Sequence, residues 1–300
     1  MTDQLMKALA FNQEVRLFVV KATETVEKAH QRHDTWQTAT AALGRTLIAT
    51  SLLAANLKGK DRLNVVVDGQ GPLGRIMAEA YNDGRVRGFA SQPHVALPLN
   101  AAGKIDVAGG VGLPGTLIVK KTIEDSLEPY VGQVPLVSGE LGEDFTYYMA
   151  VSEQTPSAIG LSVLVAPDES VLAAGGFMIQ VLPDASEETI TALEDRLQAL
   201  GRFSDLIDQG KSLEELADIL VGAGNYHKLD QQPLSFHCPC SKDYYRNRLA
   251  MIGSQELKTI IAEDHGAEVV CHYCNEVYQF SESDLQAMVA EIEQRSEDLD

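Results

Sequence analysis

All four cysteines of this 300-residue chain fall between residues 238 and 274, and the first 237 residues contain none. They form two close pairs, Cys238-Pro239-Cys240 and Cys271-His272-Tyr273-Cys274, separated by 30 residues. A disulfide scaffold distributes its cysteines through a short secreted chain. Clustered thiols in a leaderless chain of this length point instead to a reducing compartment, and so to a cytoplasmic protein. The start, Met1-Thr2-Asp3-Gln4, lacks the basic stretch and apolar core of a secretory signal.

Two close-spaced thiol pairs on separate turns can converge on one tetrahedral zinc ion, which takes four thiolates. The expected ligands are Cys238, Cys240, Cys271 and Cys274. Iron–sulfur ligation and four thiols packed as small hydrophobes are the competing readings. The second pair reads as a metal knuckle, with strands over 267–270 and 276–280 around a tight turn. Asn275 stands where such turns favour a left-handed residue, which Asn tolerates better than most. His237 and His272 flank the cysteines, but four thiolates saturate zinc and make both bystanders. A thioredoxin-like C-x-x-C belongs at a helix N-terminus in a βαβ unit; this one lies between strand-like runs with a second cysteine pair available.

The cysteine-free portion carries the signals of an α+β domain ending near Pro183. Residues 35–57 read as a helix with Trp36, Ala39, Leu43, Leu47, Ala49, Leu52 and Leu53 on its apolar face. Strands are expected over 63–67 and 75–81, with a hairpin turn at Asn82-Asp83-Gly84. Further short strands are expected over 116–120, 146–151 and 161–166. Gly69-Gln70-Gly71-Pro72-Leu73-Gly74 matches G-x-G-x-x-G, but a dinucleotide site needs a helix next, and the hairpin spacing makes it a structural turn.

From residue 184 the pattern becomes helical. Asp184 with Glu187 suggests a capping box, followed by Ile190, Leu193, Leu197 and Leu200 at helical spacing. Phe203, Leu206 and Ile207 suggest a second short helix stopped by Gly210; Ser212 with Glu215 caps a third, stopped by Gly222. Residues 184–230 hold eleven acids against four bases. Helices this short need docking to persist, so the segment reads as a metastable linker. Gly210→Ala would add helix there if the site keeps φ below zero. Residues 231–300 form the expected zinc domain, closed by a helix carrying Leu285, Met288, Val289 and Ile292 whose acidic end is expected to be solvated and to fray.

The formal charge of −19 argues against nucleic-acid binding, and no apolar run reaches the length of a membrane span. Neither a nucleophile elbow nor H-E-x-x-H occurs. Ser152, Glu153 and Gln154, with Glu140, Glu143 and Asp144, read as solvated loop and strand-end residues. The expectation is a protein that is not an enzyme. Two other classes stay open from the residues: a zinc-ribbon module for nucleic acid or the ribosome, and a thiol–disulfide oxidoreductase.

The chain also resembles a known family, the redox-regulated heat-shock holdases or 33 kDa chaperonins, over nearly its whole length. The resemblance is carried by Ala42-Leu43-Gly44-Arg45, the glycine turn 69–74, Val86-Arg87-Gly88, Ser138-Gly139-Glu140, Ser152-Glu153-Gln154-Thr155-Pro156-Ser157, Ala174-Gly175-Gly176-Phe177 and both cysteine pairs in order. C-x-C followed about thirty residues later by C-x-x-C is the most specific of these. The family has more basic character where Asp243-Tyr244-Tyr245 stands, and Gly where Asn275 stands. The resemblance implies three parts: an α+β core domain (1–183), a metastable helical linker (184–230) and a C-terminal redox-switch domain (231–300). It implies an ATP-independent cytoplasmic chaperone, reduced and inactive with zinc on Cys238, Cys240, Cys271 and Cys274. Hypochlorite, or peroxide with heat, would form Cys238–Cys240 and Cys271–Cys274 disulfides, eject zinc and release the linker. The active form would be a homodimer that holds unfolding client proteins.

Overall fold

In the computed structural model, which describes residues 2–124, 126 and 128–297, the most apolar helix becomes the centre of the fold. The chain opens with strands β1 (Gln4–Ala10) and β2 (Val15–Lys21), then helices α1 (Thr23–His33) and α2 (Gln37–Ala54). α2 is buried on nearly every side, as expected of a helix apolar or small-residued all round. Its buried hydroxyls bond back to the preceding turn: Thr46 to the Ala42 carbonyl at 2.8 Å, Thr50 to Thr46 at 2.7 Å and Ser51 to Leu47 at 2.8 Å. Trp36 does not join this face. It ends up as the N-cap residue, 43% exposed and ring-packed on His94, because the helix starts one residue later.

Two sheets sandwich α2. β3 (Arg62–Gly69), β4 (Arg75–Tyr81), β5 (Arg85–Ala90), β6 (Gly115–Thr122) and β7 (Tyr130–Pro135) form one, in the order β5-β4-β3-β6-β7. β8 (Ser157–Val165) and β9 (Val171–Val181) join β1 and β2 in the other, in the order β1-β2-β9-β8. α2 packs on β3, β4 and β5 of the first and on β8 and β9 of the second. The 69–74 glycine turn joins β3 to β4, as expected. Its glycines are required by the backbone of α3 (Val107–Val111): a Cβ on Gly69 would lie 2.1 Å from the Val111 carbonyl oxygen, and on Gly71 2.3 Å from that of Gly110.

The strand expected over 146–151 is instead the helix α4 (Gly142–Val151). The β-prone Tyr147 and Val151 are overruled by a strong start signal. The buried Asp144 carboxylate accepts backbone N–H groups from Val137 (2.7 Å), Ser138 (3.0 Å), Gly139 (3.3 Å) and Leu141 (2.8 Å). Phe145, Tyr148 and Met149, at helical spacing, then reach the core.

Residues 184–230 fold as three helices, α5 (Glu187–Gln198), α6 (Phe203–Asp208) and α7 (Leu213–Val221), followed by β10 (Tyr226–Pro233). The cap of α5 is Ser186 rather than Asp184, its hydroxyl accepting from Thr189 N at 3.3 Å while Glu14 anchors it from β2's approach. The α7 capping box forms as expected: Ser212 N donates to Glu215 Oε2 at 2.8 Å, and Glu215 N to Ser212 Oγ at 3.1 Å. Leu193, Phe203, Ile207, Leu213, Leu216 and Leu220 bury against Met6, Leu17 and Phe177 on the sheet face opposite α2. β10 then pairs antiparallel with β1, Gln4 opposite Pro233, so the anticipated boundary at 231 falls inside a strand. The short β11 (Ser235–Phe236) adds to β5 in parallel, and the two compact units are 1–237 and 238–300.

Gly210 decides its conditional expectation. It adopts φ +81°, and an added Cβ would meet nothing within 4 Å. Backbone conformation alone then resists a side chain, so Gly210→Ala is expected to lower stability by about 1 kcal/mol. A fall in the thermal midpoint of the α5–α7 segment checks this; an unchanged or raised midpoint would contradict the left-handed turn.

The second unit contains α8 (Lys242–Ala250), α9 (Ser254–Asp264), the hairpin β12 (Gly266–Val270) and β13 (Val277–Ser281), and α10 (Glu282–Glu297). Its buried core is small: Leu257, Phe280, Leu285, Met288 and Val289. The closing helix therefore buries one face rather than being solvated all round. The fraying expected at the chain end concerns 298–300, which lie outside the described residues.

Candidate metal centre

Each half of the cysteine set is positioned by a short, locally determined structure. Cys238-Pro239-Cys240 precedes α8, whose start is fixed by Ser241: its hydroxyl accepts from Tyr244 N at 3.1 Å. Cys271 and Cys274 sit in the turn between β12 and β13, where Val270 pairs with Val277. Cys271 N donates to the Glu276 carbonyl at 2.9 Å, while the Cys271 carbonyl accepts from Cys274 N at 3.2 Å and Asn275 N at 2.7 Å. Closing this turn requires Asn275 at φ +56°, the left-handed conformation anticipated for it. Asn275→Val would place a β-branched residue there at a cost of about 1–2 kcal/mol. Faster zinc loss to a chelator than in the parent, with Asn275→Gly at or below the parent rate, is the expected pattern.

The four sulfurs lie within 4.8 Å of one another. Cys238 Sγ is 3.7 Å from Cys271 Sγ, and Cys240 Sγ is 3.3 Å from Cys274 Sγ. Four thiolates about 2.3 Å from a central zinc stand about 3.8 Å apart at the corners of a tetrahedron. The residues therefore fit a zinc ion with only small adjustments. Among the described residues, this closely spaced group includes neither His237 nor His272.

Two tyrosines that the sequence pattern did not single out border the thiols. Tyr278, on β13, donates its hydroxyl to Cys240 Sγ at 3.2 Å. Tyr245, on α8, stacks 5.2 Å from Tyr278 and hydrogen-bonds Cys271. Burial pushes the Cys240 and Cys274 thiols up. At Cys271 burial also opposes ionisation but is outweighed by hydrogen bonds from Tyr245 and the local backbone, which bring the thiol down to about 7. Bound zinc supplies the positive charge that holds all four sulfurs as thiolates.

The other polar residues considered in the sequence do not converge on the thiols. Glu140 pairs with Arg45 at 2.7 Å, Asp144 caps α4, and Glu153 accepts from the Tyr148 hydroxyl at 2.5 Å.

Against known proteins, the model of the Hsp33 protein family matches residues 3–281. The chain belongs to the Hsp33 family. The 33 kDa chaperonin of Shouchella clausii is 50% identical over 295 residues, spanning 98% of this chain and 100% of that protein. That of Enterococcus faecalis is 50% identical over 285 residues, 95% of each. The crystal structure of the Thermotoga maritima 33 kDa chaperonin superposes with a TM-score of 0.89 at 35% identity, covering 97% of this chain and 99% of that one. The α+β fold of this Hsp33 member is thus the fold of its family, and its relatives are named as chaperones rather than enzymes. No helix among the described residues is long and apolar enough to cross a membrane.

Proposed function

We propose that this Hsp33-family chain is a redox-regulated, ATP-independent holdase whose switch is the Cys238, Cys240, Cys271, Cys274 cluster. The observation that carries the reading is the convergence of four sulfurs within 4.8 Å inside a unit with only five buried apolar side chains in its core. In the reduced, inactive form these cysteines hold one zinc per chain. A structural zinc contributes about 10–16 kcal/mol of apparent folding free energy in small domains, more than so small a core supplies.

Oxidation removes the ligands. Each thiolate pair, Cys238 with Cys240 and Cys271 with Cys274, loses two electrons to one hypochlorous acid and forms an S–S bond; the oxidant takes up a proton and leaves as chloride and water. Zinc departs because disulfide sulfur no longer carries the charge that bound it. In the proposed division, 1–183 is the chaperone core, 184–230 the metastable linker and 231–300 the switch. Release of α5–α7 would uncover the sheet face around Met6, Leu17 and Phe177 for unfolding or oxidatively damaged client proteins. The active form is a homodimer working in the cytoplasm, with neither nucleic acid nor membrane as partner.

Aggregation of a heat-denatured client, followed by light scattering, tests this reading alongside reduction of insulin disulfides. The holdase suppresses scattering after oxidation and leaves insulin intact when reduced. Rapid insulin reduction by the thiol form would make it an oxidoreductase instead.

A further inference from the structure

The core between the two sheets ends in polar side chains. On β2 the row facing α2 runs Val20, Phe18, Arg16; on β9 Met178 is followed by Gln180; on β6 Leu117 and Val119 are followed by Lys121. The apolar members belong to the central core, and the two-residue strand period puts the polar ones on the same inward face. Register brings them together: Arg16 is the cross-strand partner of Gln180, and Lys121 is paired with Leu63.

These three side chains line a cleft of about 590 Å³ past the last turn of α2, where Leu53, Asn56 and Leu57 also contribute. Its volume falls in the range of small-ligand sites, about 300–1,000 Å³. Gln180 is only 5% exposed, yet its side-chain amide has no hydrogen-bond partner among the described residues, and Arg16 and Lys121 make no ion pair among them. Glu153, the single carboxylate lining the cleft among the described residues, is engaged by the Tyr148 hydroxyl. Two cations against one carboxylate leave one positive charge unmatched, in a chain whose net charge is −19.

We propose that this cleft binds a soluble, single-chain carboxylate amphiphile. The carboxylate accepts hydrogen bonds from Arg16, Lys121 and the Gln180 amide, and the alkyl chain lies on Leu53, Leu57 and Met149. Leu182 and Ile190 also line the cleft, so an occupied cleft holds the start of the 184–230 segment in place. The assignment is independent of the redox reading.

Decanoate below its micellar concentration is the probe, titrated calorimetrically into the reduced full-length chain. One saturable site is expected. Arg16→Met and Lys121→Met should each weaken it by about tenfold or more, the loss of one charge-assisted contact. Decanol, with the same chain and no charge, should bind weaker by a similar factor, whereas Lys121→Arg retains the affinity. At ten times Kd, amide exchange over 182–190 should slow about tenfold, because the ligand binds only the closed cleft. Absence of saturable binding, equal affinity for decanol, indifference to both methionine variants, loss of binding in Lys121→Arg, or unchanged exchange at 182–190 would each overturn the proposal.

Discussion

Cys271→Ser is expected to cut bound zinc from one equivalent per chain to below about a tenth, and to unfold 238–300 under fully reducing conditions. Cys271 is buried at the meeting point of both halves of the site: its backbone closes the knuckle with Glu276 and Asn275, and its sulfur lies 3.7 Å from that of Cys238. Serine retains the turn but supplies a poor, mostly protonated ligand. The remaining core of five buried side chains must then carry α8, α9, the hairpin and α10 alone. Amide exchange resolves the outcome by unit, with protection lost across 238–300 and retained in β3–β6. Native-like protection of 238–300 in the zinc-free variant would show that the metal does not hold this unit together.

Leu216→Asp is expected to give aggregation suppression without any oxidant. Leu216 is fully buried on α7, in the cluster that joins α5–α7 to the sheet face of Met6, Leu17 and Phe177. Losing the leucine and burying an unpaired carboxylate costs at least about 3 kcal/mol, which the undocked helices avoid by exposing the residue. Three short helices have little stability to set against that. The cost should appear as fast exchange over 184–221 with β3–β6 still protected, and as client suppression by the reduced, zinc-loaded protein. Undocking by exchange with no gain in suppression would remove this sheet face from client binding.

These expectations rest on features that were unequally visible in the sequence. The zinc knuckle was legible because its determinants are local: two cysteines three apart, flanking strands and an Asn fitted to the left-handed position. The β4–β5 turn at Asn82-Asp83-Gly84 was legible for the same reason. β1 and β2 gave no strand alternation, since Leu5, Met6, Ala8 and Ala10, and then Val15 and Leu17 to Val20, are buried on both faces between α2 and α5–α7. α4 was misread because four backbone N–H groups converging on Asp144 outweigh the strand propensity of the residues behind it. Tyr245 and Tyr278 reach the thiols from separate elements, and no spacing marks them. Arg16, Lys121 and Gln180 are likewise distant in sequence and meet only through the strand registers.

Hypochlorite titration of the reduced protein, with zinc release, free thiols and client aggregation read on the same samples, tests the central claim most directly. The account predicts that about two oxidant equivalents remove all four thiols and release one zinc, and that suppression of aggregation rises in step with zinc release. Equal suppression by the untreated zinc form, or complete loss of thiols and zinc with no gain in suppression, would contradict it.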